Sequence, residues 1–131
     1  PGQVFKVGQP VNLGSWQVTA LSSKNPYKPT NAFDKPDAGN KYVTVDTQVV
    51  NNGQEPGSVS SIACFKMRDS TGQEYNEAIL SSVPKPPDGE VAPGGKIRGT
   101  LSYQVPTTAK GLLLVFNCEL FSSGSAEIAI P

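Results

Sequence analysis

Apolar and polar residues alternate along several short stretches of this chain. Val43, Val45, Thr47 and Val49 are interleaved with Tyr42, Thr44, Asp46 and Gln48, and Ile97, Gly99, Leu101, Tyr103 and Val105 with Lys96, Arg98, Thr100, Ser102 and Gln104. A period of two sends successive side chains to opposite faces of a sheet, so each stretch predicts a strand with one face turned inward. Val11 to Leu21 shows the same pattern with a break at Gly14-Ser15, which predicts a bent strand or a tight hairpin. Ile62 to Arg68 reads as the next strand, closing on Asp69-Ser70-Thr71-Gly72 and returning through Gln73-Glu74-Tyr75. Asp at the first and Gly at the fourth position suit a type I turn. Leu112 to Phe116 is apolar on both faces, as a strand covered from two sides is, and Ala126, Ile128 and Ile130 predict a closing strand.

Between the strands lie stretches that resist regular structure. Asn51-Asn52-Gly53 marks a turn. Residues 22–40 collect Ser, Asn, Lys and Gly with Pro26, Pro29 and Pro36, and predict a long surface loop. Residues 83–95, rich in Pro and Gly, predict a second loop, partly extended, and residues 76–83 are the one candidate for a helical turn. About seven short strands with turn signals between them and no helical period argue an all-β fold, an antiparallel β-sandwich with Greek-key connections. No internal repeat appears, and 131 residues fit a single domain over residues 1–131. Gly 13 and Pro 12 add turns without reaching the range of low-complexity chains.

Charge narrows the partners. Eleven basic and eleven acidic residues balance, with no run of either sign, so neither nucleic acid nor an anionic membrane surface is favoured. No apolar run approaches the ~20 residues that span a bilayer, and Pro1-Gly2-Gln3 lacks the charged start of a signal peptide.

The chain has no histidine, which removes Ser-His-Asp and Cys-His catalysis and imidazole metal ligation together. Two cysteines, not arranged as CxxC, do not make a zinc site, and no phosphate-binding glycine motif precedes a helix. No metal and no cofactor is expected. Asp69, Glu74 and Glu77 near one turn offer the remaining route to acid/base chemistry, although a solvated hairpin end explains them more simply. Asp34 and Asp37 lack the spaced Asp/Asn series of a calcium loop. Cys64 and Cys118 read as buried thiols or, the reading favoured here, as a disulfide between two strands, which needs an oxidising compartment. Trp16, in an alternating stretch, reads as core. Tyr27 and Phe33 lie in the polar proline-bearing loop, either as exposed binding anchors or folded back over a sheet edge.

Four phrases in order, VGQPVNLGSWQVTALSS, KYVTVDTQVVNNGQEP, FKMRDSTGQEY and VAPGGKIRGTLSYQVPTTAKGLLLVF, cover most of the chain. Together they resemble a bacterial domain-of-unknown-function family of secreted proteins and lipoproteins, similar in fold to the mycobacterial immunoprotective extracellular antigen. The resemblance implies an immunoglobulin-like sandwich, exported to the cell surface or beyond, often with a lipid anchor upstream of the domain. It carries no catalytic residues over. The expectation is therefore a non-catalytic module that contacts a protein or cell-envelope component, with carbohydrate or small-ligand binding as the alternative.

Overall fold

The computed structural model describes residues 3–118 and 124–131; Pro1 and Gly2 of the amino-terminal reading lie outside it. Eleven strands are present among the described residues: β1 Val4–Lys6, β2 Val11–Leu13, β3 Trp16–Tyr27, β4 Asn40–Asn51, β5 Gly57–Val59, β6 Phe65–Arg68, β7 Glu74–Tyr75, β8 Gly89–Val91, β9 Lys96–Pro106, β10 Leu113–Phe116 and β11 Ala126–Ala129. They form a five-stranded sheet in the order β1-β11-β10-β6-β7, a four-stranded sheet β2-β3-β4-β9 and a small β5-β8 pair. The chain leaves β4 for the other sheet and returns as β9 beside β4, and β10 then comes back beside β6. These long returns are of the Greek-key kind. The pairs are antiparallel except β1 with β11, which run parallel.

The alternating faces meet between the two larger sheets. Val18, Val43, Val45, Val49, Leu101, Tyr103 and Val105 from one side pack against Phe65, Met67, Leu114, Phe116 and Ile128 from the other, all of them buried, with Trp16 in the same core. The rings of Phe65 and Phe116 meet at 4.9 Å between centroids, tilted by 48°. β10 takes the middle of its sheet, as its two-sided apolar character predicts. β2 and β3 form a hairpin with Leu13 opposite Trp16, and Gly14 supplies the φ of 60° that the first position of a type II′ loop requires.

Three expectations are corrected. β3 runs through to Tyr27, so the loop expected at 22–40 shortens to residues 28–39. Register shifts between Ala20 and Ser22 and between Lys24 and Tyr27 absorb the irregularity, and Pro26 is tolerated because it lies within the second shift, where no ladder partner requires an amide proton. Ile62 to Cys64 is not strand: Ser61–Cys64 is one helical turn, started by the Ser60 hydroxyl accepting from the Ala63 amide at 3.2 Å. The helical turn expected at 76–83 is absent. Residues 77–86 instead form a strap along β9: Glu77 bridges Tyr103, the Ala78 amide donates to the Ser102 carbonyl at 2.7 Å, and the Thr100 amide donates to the Lys85 carbonyl at 3.0 Å.

Cys64 and Cys118 are joined in a disulfide, with their Cα atoms 4.5 Å apart. It links neighbouring strands of one sheet rather than the two layers, since Phe65 pairs with Phe116 and the Asn117 amide donates to the Cys64 carbonyl at 2.9 Å.

Candidate functional site

The outer face of the four-stranded sheet should be open to water, yet Tyr42 and Thr44 of β4 are buried there. Two segments cover Tyr42. Leu80 of the strap packs on Tyr27 and Tyr42 as a second small core, flanked by Ala78 and Val83. Loop 28–39 is fastened to the strap by Asp34, whose carboxylate accepts from the Ser81 amide and hydroxyl, both at 3.1 Å, and from the Ser82 amide at 2.8 Å. Hydrogen bonds from Ser82 and Ser81 hold the Asp34 carboxyl below the usual carboxylate range, against the opposing effect of burial. Asn31 accepts from the Phe33 and Asp34 amides and so starts the short 3-10 turn Ala32–Asp34 that aims this carboxylate.

Beside this small core lies a groove of about 540 Å³. Its floor is built by Ser22, Ser23 and Lys24 of β3, Thr44 and Asp46 of β4 and Thr100 of β9. Tyr27, Lys28 and Thr30 wall it on one side and Ser82, Val83 and Pro84 of the strap on the other. The Tyr27 hydroxyl donates to Ser82 Oγ at 2.8 Å and ties the two walls together. Asp46 accepts from Arg98 Nε at 3.0 Å and Nη2 at 2.6 Å as a bidentate pair, and among the described residues Lys24 and Lys28 form no ion pair.

Tyr27 and Phe33 part company in this arrangement. Tyr27 is buried, its ring in the small core and its hydroxyl on Ser82, whereas Phe33 stands 96% exposed on the 3-10 turn. Asp37, like Phe33, is exposed, and Asp34 spends its oxygens on Ser81 and Ser82 rather than facing Asp37. Among the described residues no three Asp, Glu or Cys side chains gather to hold a metal ion.

The carboxylates read as a possible acid/base set are also dispersed. Asp69 Oδ1 accepts from the Thr71 amide and hydroxyl and from the Gln73 amide, and Oδ2 accepts from the Tyr75 hydroxyl at 2.8 Å. Bonds from Thr71 and then Tyr75 hold its carboxyl down to about 2, so it is a turn-former rather than a proton donor. Glu74 is exposed on β7. Glu77 accepts from the Ser61 hydroxyl at 2.7 Å, and burial raises its carboxyl, helped by the charge of Asp88. Asp88 meets the same hydroxyl at 3.1 Å and accepts from the Ser61 amide at 2.6 Å. This Ser61-Glu77-Asp88 contact was not legible in the sequence, and with Ser61 only 1% exposed there is no room at its hydroxyl for a substrate.

Residues 5–128 match the model of the family described as "Domain of unknown function (DUF4352)". The chain belongs to this family. No curated protein matches the sequence significantly. Among solved structures, this DUF4352 chain is similar to the yjhA protein of Bacillus subtilis, at 20% identity over 98% of this chain and 100% of that one, with a TM-score of 0.75. The ycdA protein of Bacillus subtilis, provisionally described as a lipoprotein, is 17% identical and superposes with a TM-score of 0.74 over 92% of this chain but 38% of its own length. A secreted protein of Mycobacterium tuberculosis, MPT63, shares 14% identity with a TM-score of 0.56, covering 98% of each chain. At these identities the likeness is one of fold, and it places DUF4352 among β-sandwich proteins. No helix among the described residues is long and apolar enough to cross a membrane.

Proposed function

We propose that this DUF4352 chain is an exported, non-catalytic binding module, one domain over residues 1–131, whose partner in the cell envelope docks on the outer face of the four-stranded sheet. The observation that carries this is the groove between loop 28–39 and the strap, two connecting segments fastened to each other by Asp34 on one sheet face. Function concentrates on such loops held by a rigid scaffold. Export is supported by the disulfide, which needs an oxidising compartment, and by the secreted and lipoprotein descriptions of the structural relatives. A non-catalytic role is supported by the fixed hydrogen bonding of Asp69, Asp34 and Asp46 and the lack of histidine. The polar floor of Ser22, Thr44 and Thr100 favours the second reading, a carbohydrate or small polar ligand, over a broad apolar protein contact.

The test is capture of the immobilised domain's partner from cell-envelope fractions, compared with Ser22→Trp, which fills the groove from an exposed position. Loss of capture with an unchanged circular dichroism spectrum supports the face. Equal capture by both proteins overturns it. A panel of glycosidase, esterase and protease substrates should show no turnover, and turnover abolished by Glu77→Gln would overturn the non-catalytic reading.

A further inference from the structure

We infer that the groove binds an anionic, hydroxyl-bearing ligand: a saccharide or polyol carrying phosphate or carboxylate groups. This rests on the groove being the binding face. Whole-chain charge is zero, with 11 basic and 11 acidic residues, so a local excess has to be read from the lining. There Lys24 and Lys28 stand against one carboxylate, Asp46, whose two oxygens are both engaged by Arg98. Behind the wall, Asp34 accepts from Ser81 and Ser82 and forms no ion pair with either lysine. The free charge facing the groove is therefore positive.

Lys24 is also positioned. Its Nζ lies 5.8 Å from the centroid of the Tyr27 ring, and that ring is fixed by Leu80, Tyr42 and the bond to Ser82. A lysine held over an aromatic face gives up less rotamer freedom on binding than a free surface lysine does. Around the two cations, three strands and both walls contribute hydroxyls: Ser22, Thr44, Thr100, Thr30 and Ser82. Ser82 accepts from the Tyr27 hydroxyl and its own side chain is bonded to Asp34, so it braces the wall, and the hydroxyls left for a ligand are those of Ser22, Thr44, Thr100 and Thr30. Hydroxyls both donate and accept, so they match the hydroxyls of a sugar or polyol. Lysines satisfy the charged group, and Pro26, Val83 and Pro84 give the C–H faces of the ligand something apolar to lie against. A lone phosphate would use the cations and waste the hydroxyls. A neutral sugar would do the reverse.

The experiment is an amide-detected NMR titration of the whole domain with sn-glycerol 3-phosphate, glycerol and inorganic phosphate at matched ionic strength. Expected are shifts centred on Lys24, Thr44, Ser82 and Thr100 with glycerol 3-phosphate, weaker ones at the same amides with phosphate, and none with glycerol. Lys24→Glu with Lys28→Glu should raise the dissociation constant by about tenfold or more, while Lys66→Glu on the other sheet should not change it. The inference is overturned if glycerol binds as well as its phosphate, if the shifts map elsewhere, or if the double variant binds unchanged. Envelope capture separates the two claims. Capture that survives the lysine changes but is lost in Ser22→Trp overturns the ligand class and leaves the face standing; capture that survives Ser22→Trp overturns both.

Discussion

At the residue scale, the positions that matter most were written in ordinary turn and strand letters. Asp69 was legible as the first residue of a type I turn, and the Gly72 amide donates to its carbonyl at 3.1 Å as that turn demands. What the letters did not show is the four bonds reaching its carboxylate, because Tyr75 comes from the returning strand. Those bonds hold the folded carboxyl at about 2, below its unfolded value of about 3.9. Its contribution to stability is therefore complete above pH ~4 and is lost as pH falls toward ~2. In Asp69→Asn the melting temperature should be lower near neutral pH and change less between pH 4 and 2 than in the parent; a parallel pair of curves would contradict this. Gly99 makes a second prediction. A Cβ there would lie 2.4 Å from the Lys85 carbonyl oxygen and from backbone atoms of Pro86 and Pro87, where no flexible side chain can yield. Gly99→Ala should cost about 1–3 kcal/mol in denaturant unfolding, as overpacking does. Tyr27 was the ambiguous letter, since an aromatic in a proline-rich stretch reads equally as anchor or as cover, and only the position of Leu80 decides it.

At the scale of elements, alternation found β4, β9 and the first half of β3, whereas Ser22 to Tyr27, polar and carrying Pro26, read as loop; the other misreadings are of short elements. Ile62-Ala63-Cys64 alternates acceptably as a strand, but Ser60 caps a helical turn that turns Ile62 out to 71% exposure and Cys64 inward. A four-residue helix is too short for a period to show. β1, β5 and β8 escape for a similar reason, each having three residues and depending on a distant partner for its pairing. The disulfide belongs at this scale because it fastens β6 to β10 across 54 residues of chain. In the chain-entropy picture a loop of that length corresponds to about 4 kcal/mol, so Cys64→Ala with Cys118→Ala should lower the melting temperature by about 10 °C or more. Reduction of the parent should reproduce the loss, and a variant melting within a degree or two of the parent would contradict it. Phe65 and Phe116, paired beside the bridge with their rings in contact, should keep the strands in register and the fold intact without it.

At the scale of the whole molecule, two sheets enclose the main core, and the loop and the strap on one face wall the groove. The strap has a further consequence. β9 is 11 residues long and stands at the end of its sheet, with β4 as its only strand partner among the described residues. A row of unsatisfied backbone groups of that length is a template on which a second chain can add, and repeated addition builds fibrils. The strap's two backbone bonds, at Ser102 and Thr100, sit where a foreign strand would have to pair. Replacing residues 77–86 by a short Gly-Ser linker should therefore give a protein that is folded when dilute but whose light scattering and thioflavin fluorescence rise with concentration. Parent protein at the same concentrations should stay silent, and a linker variant that also stays silent would contradict the idea. On this account the segment that walls the groove is also what keeps each molecule from becoming the seed for the next.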